Sequence, residues 1–107
     1  MGQVDRRLEF HERLCQFLDT RNVYFMPGPD VRMKYPCIRY ELAGFNQTYA
    51  NNRNYNNKEQ YTLTLITDDP DTDLREKLMN FLMVYPYKYD RAYTMDNLYH
   101  DVFNVYL

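Results

Sequence analysis

Two histidines, two cysteines and a run of four aspartates are the side chains here whose chemistry could reach beyond packing, so their spacing comes first. His11 sits in the charged stretch "LEFHERL" and His100 in "LYHDVF", and neither has a Cys, Asp or Glu partner at a metal-ligand spacing. Both read as satisfied or solvated histidines. Asp68, Asp69, Asp71 and Asp73 lack the glycine and the terminal glutamate of a calcium loop, and an aspartate run before an apolar helical pattern is explained by capping. No G-x-S-x-G element, phosphate-cradling glycine loop or flanked Cys/His pair is present, and three glycines leave little material for one. The expectation is a protein with no catalytic residue, metal or cofactor.

The positive signal lies in "NQTYANNRNYNN", residues 46–57, where six of twelve positions are asparagine and neither Pro nor Gly occurs. A flexible linker would favour Gly and Ser. Asparagine supplies two donors and an acceptor, and tyrosine offers rigid contact area with a polar end, which together are the chemistry of a recognition surface. Tyr49, Asn51, Asn52, Arg53 and Tyr55 are therefore the candidate protein-interface residues, the alternative being a solvated loop.

The elements that must position this segment follow from periodicity. Val4, Leu8, Cys15 and Leu18, widened by Leu14 and Phe10 or Phe17, give a helical stripe over about 4–20. "NVYFMPGPDVRMKYP" reads as a short strand and then a loop, punctuated by Pro27, Gly28, Pro29 and Pro36. Alternation from Cys37 places Ile38, Tyr40 and Leu42 on one face, and Tyr61, Leu63 and Leu65 mark a second strand over 60–67. A long hairpin is the simplest connection, with an arm at about 44–59. Asp69 as cap, Pro70 at the first helical position and Leu74, Leu78, Phe81, Leu82 and Tyr85 predict a helix over 71–85, ended by Pro86. Strands at 91–95 and 98–106 flank an Asp96-Asn97 turn. The long elements run α-β-β-α-β-β, an α+β fold with a mixed or antiparallel sheet and two helices packed on it.

A chain of 107 residues supports a single domain spanning 1–107 with one core. So small a core is only modestly stable alone and gains from association. The net charge of −2, with both signs scattered, leaves no basic stripe for phosphates and disfavours nucleic acid. No window approaches the ~20 apolar residues of a membrane span, and "MGQVDRRLEFHERL" carries charge where a signal peptide needs an apolar core. It reads as an ordinary cytosolic start, and Cys15 and Cys37 as free thiols.

Three stretches in order, "YPCIRYELAGFNQTYANNRNY", "YTLTLITDDPDTDL" and "DRAYTMDNLYHDVFNVYL", resemble the small tail-completion or tail-terminator proteins of tailed bacteriophages. The family patterns YPCI.YE, ANN..Y and DNL.H..F..Y correspond here to Tyr35–Glu41, Ala50–Tyr55 and Asp96–Tyr106, so the likeness covers about residues 35–107. The resemblance implies a structural virion protein. Its subunits would form a ring, commonly a hexamer, at the head-proximal end of the tail tube, with the tube protein and neck or connector proteins as partners. Another neck component of the same virion is the nearest alternative. A small RNA-binding module or a small enzyme is more distant, since RNA binders of this size need a basic, aromatic sheet face.

Overall fold

The computed structural model describes the backbone of residues 3–50 and 53–107, and the side chains of residues 5–44 and 59–107. The chain is α+β, with one five-stranded mixed sheet and two helices. In chain order the elements are α1 (Gln3–Leu18), β1 (Val23–Phe25), β2 (Cys37–Ala50), β3 (Arg53–Thr67), α2 (Leu74–Leu82), β4 (Tyr87–Met95) and β5 (Leu98–Tyr106). The sheet order is β1-β2-β3-β5-β4. All neighbours are antiparallel except β1, which runs parallel to β2 with Val23 beside Ile38 and Phe25 beside Tyr40. The short strand expected in "NVYFMPGPDVRMKYP" is β1, and counting it corrects the expected α-β-β-α-β-β order to α-β-β-β-α-β-β.

Both helices differ from expectation at their ends, for local reasons. α1 stops at Leu18 because Asp19 takes a left-handed conformation, φ 58°, and turns the chain out of the helix. α2 starts at Leu74, not near 71, and Asp69 does not cap it. The Asp69 carboxylate instead accepts from the Asp71 amide at 2.9 Å, while the Thr72 hydroxyl accepts from the Leu74 amide at 3.3 Å. The Asp-Pro-Asp stretch therefore closes a turn of its own, which competes with extending the helix backward. The Asp96-Asn97 hairpin forms as expected, with φ of 54° and 63° at the two residues, the left-handed pair that a tight primed turn requires.

The core lies between the helices and one sheet face. Ile38 and Tyr40 of β2, Tyr61, Leu63 and Leu65 of β3, and Phe103 and Val105 of β5 are buried against Phe10 and Leu14 of α1 and Leu78 and Leu82 of α2. The stripe on α1 is rotated from the expected one, since Leu8 is 48% exposed. Arg7 and His11 occupy the inward positions instead. The Arg7 guanidinium lies 4.0 Å from the Phe25 ring centre and donates to the Tyr40 hydroxyl at 3.2 Å, and His11 Nδ1 is 2.8 Å from that same oxygen. Arginine only donates, so the hydroxyl accepts from Arg7, which leaves its own proton available to His11 Nδ1. Burial first, then the nearby Arg7 charge, hold the His11 pKa below its ordinary value.

Candidate functional site

Among the described residues no helix covers the second sheet face, and its shape follows from the strand registers. Cys37 pairs with Ile66, Arg39 with Thr64, Thr64 with Val102, Ile66 with His100 and His100 with Tyr93, so these side chains share the face away from the core. Cys37, Thr64, Ile66, His100 and Val102 are nevertheless buried. Thr64, Ile66, His100 and Val102 floor a trough of about 270 Å³, walled on one side by Met33, Tyr35 and Arg39 and on the other by Arg91, Tyr93 and Met95. The connection 26–36 and the tip of the β4–β5 hairpin rise on either side of it, which makes the face concave rather than flat.

The chemistry of the trough is that of contact. Tyr93 stacks on His100 with ring centres 4.5 Å apart and planes 11° from parallel, and the Arg91 guanidinium sits 5.7 Å from the Tyr93 centre. His100 Nδ1 is 3.1 Å from the Leu98 carbonyl oxygen, which can only accept, so Nδ1 carries a proton. Arg39 lies 4.0 Å from Glu41, and Arg91 2.7 Å from Asp90. Cationic forks, a stacked aromatic pair and threonines can hold a partner's side chains and backbone. Nucleophilic chemistry is poorly served: both cysteines are free and buried, burial pushes the Cys37 thiol up to about 12, and the Cys15 thiol is raised for the same reason. Among the described residues no group of three His, Cys, Asp or Glu could hold a metal ion, and Asp68, Asp69, Asp71 and Asp73 are all exposed. No described helix is long and apolar enough to cross a membrane.

Of the sequence-derived interface residues, the structure describes the backbone of three. Tyr49 falls within β2 opposite Asn54, and Arg53 and Tyr55 within β3 opposite Ala50 and Thr48. Their side chains, and Asn51 and Asn52 altogether, lie outside the described residues. Sequence reasoning missed the trough, although a signal existed: Ile66 and Val102 are apolar residues in the outward phase of strands whose inward phase is already apolar, as in strands covered on both faces.

Against known proteins, no family model matches this chain and no curated protein matches it.

Proposed function

We propose that this protein is a structural subunit of a tailed-bacteriophage virion, forming a hexameric ring at the head-proximal end of the tail tube. There it ends the tube and joins the tail to the neck. The reading starts from the tail-terminator resemblance over residues 35–107 and needs no metal, nucleotide or catalytic group. The single observation that supports it best is the register of the β2–β3 hairpin. β1 pairs with β2 only over Ile38–Tyr40, and β5 with β3 only from Gln60 onward, extended by the Glu59–Leu107 backbone bonds at 3.0 and 3.1 Å. Farther out the two strands pair with each other as far as Ala50 and Arg53.

A two-stranded ribbon without a third strand is marginal in water, so a hairpin arm of this length is better explained by a partner than by the monomer's needs. Its Asn- and Tyr-rich sequence suits hydrogen-bonded, aromatic contacts, and the described chain, at 49 × 25 × 23 Å, is elongated enough for such an arm to stand clear of the body. The partners are further copies of this chain, the tube protein and neck or connector proteins, and the site of action is the virion after synthesis in the host cytoplasm.

Light scattering on the purified chain, with electron microscopy of particles carrying a labelled copy, tests the reading. The expected result is a ring-sized oligomer and label at the neck. Label elsewhere in the neck would move the assignment to another connector component, and a monomer that never enters particles would overturn it.

A further inference from the structure

Two patches far apart on the subunit are exposed, apolar and opposite in charge. The first is the connection 26–36 at the β1 edge, where Met26 and Val31 are 54% and 45% exposed and Arg32 and Lys34 make no ion pair among the described residues, against the single acid Asp30. The connection is pinned: the Met26 amide donates to the Tyr40 carbonyl at 2.8 Å, the Val31 amide to Gly28 at 3.2 Å and the Lys34 amide to the Tyr24 hydroxyl at 3.1 Å. The second is the outer stripe of α2. Glu76 and Asn80 lie one turn apart on α2, and Met83 and Val84, in the turn just past its end at Leu82, are at 72% and 73% the most exposed large apolar side chains described. Asp71 lies just before this stripe, and neither Asp71 nor Glu76 makes an ion pair among the described residues. The bases on this helix are engaged, Lys77 with Asp73 at 3.3 Å and Arg75 with Asp101 of β5 at 3.7 Å.

That last contact sets α2 over the β5 side of the sheet, whereas the 26–36 connection borders β1 at the other edge. We propose that the outer stripe of α2 in one copy docks against the 26–36 connection of a second copy, with Asp71 and Glu76 facing Arg32 and Lys34 around the exposed apolar side chains. Each patch alone exposes apolar surface that water disfavours, and a contact between unlike patches on different parts of the subunit buries both while leaving one of each at the ends of an open chain. Such a head-to-tail contact propagates until it closes into a ring. Opposite charges give the contact its orientation, since like patches meeting would repel. The inference rests on the ring reading but names a contact separate from the residue 44–59 arm.

The test uses the full chain at a series of concentrations, with mass read by light scattering and folding by circular dichroism. Arg32→Glu with Lys34→Glu, and separately Asp71→Lys with Glu76→Lys, should each shift the protein toward monomer, raising the apparent dissociation constant at least about tenfold. Mixing the two variants should restore the larger species, because the reversed connection of one then meets the reversed α2 stripe of the other, and their two native patches meet each other. Met83→Ser with Val84→Ser, which alters only exposed side chains, should also weaken assembly. Variants that assemble like the parent, or a mixture that stays monomeric, would overturn this contact while the ring reading stands. A parent chain that is monomeric throughout would overturn this contact, and the ring reading with it if the labelled chain also never enters particles.

Discussion

Replacing Tyr40 with Phe isolates one oxygen atom in the middle of the fold. The Tyr40 ring is fully buried and lies 4.9 Å from the Phe25 ring centre, 5.7 Å from His11 and 6.0 Å from both Phe10 and Tyr61, contacts that phenylalanine keeps. What goes is the acceptor for Arg7 and the donor to His11. A net hydrogen bond contributes about 1 kcal/mol, somewhat more when one partner is charged, and His11 and Arg7 are exposed enough to recover part of the loss from water. The expected cost is about 1–2 kcal/mol, or roughly 5–10 °C in Tm for a chain of this size. Chemical denaturation at pH 7 and at lower pH measures it. His11 has a folded pKa below its usual 6.5, so the unfolded chain binds more protons between those two values and stability falls as pH drops through that window, then levels off. Above 6.5 the residue is neutral in both states and contributes no slope. Glu12, whose pKa is lowered chiefly by its hydrogen bond to Arg21, acts only below the ordinary carboxylate range and does not overlap. His11→Gln should therefore remove the slope just below 6.5. A Tyr40→Phe protein within 0.3 kcal/mol of the parent, or an unchanged slope in His11→Gln, would refute the three-residue network.

Three other outcomes follow from particular positions. Leu78→Ala should cost about 2–5 kcal/mol in equilibrium unfolding, since Leu78 is fully buried between α2 and the sheet, and a loss below ~1 kcal/mol would contradict that packing. Alkylation at pH 8 should leave Cys15 and Cys37 largely unmodified in the native protein and label both after denaturation, as their burial and raised pKa values require, with mass spectrometry as the readout. Tyr49→Ser with Tyr55→Ser should leave circular dichroism unchanged but prevent ring formation or the joining of tails to heads, whereas normal titres would reduce the 44–59 arm to a solvated loop.

Much of the fold was legible because it depends on local rules. The alternation of Ile38, Tyr40, Leu63 and Leu65 and the periodicity of Leu78 and Leu82 each assign a buried face through backbone geometry alone, and all six side chains are in the core. The Asp96-Asn97 turn was legible for the same reason, as few other residue pairs tolerate two successive positive φ values. Other features depend on partners distant in sequence. The short strand β1 was legible, but its parallel pairing with β2 was not, since three residues cannot announce a neighbour. Arg7 and His11 displace Leu8 from the inner face of α1 because Tyr40, far along the chain, offers a buried hydroxyl, and a hydrophobicity pattern has no means of weighting that bond. The trough required the registers of four strands at once to bring Arg39, Ile66, His100 and Tyr93 onto one surface. Local propensity acts within a turn or a strand, whereas a concave face, an inward arginine and a parallel edge are decided only when the chain packs against itself, and there the tertiary structure alone had the deciding term.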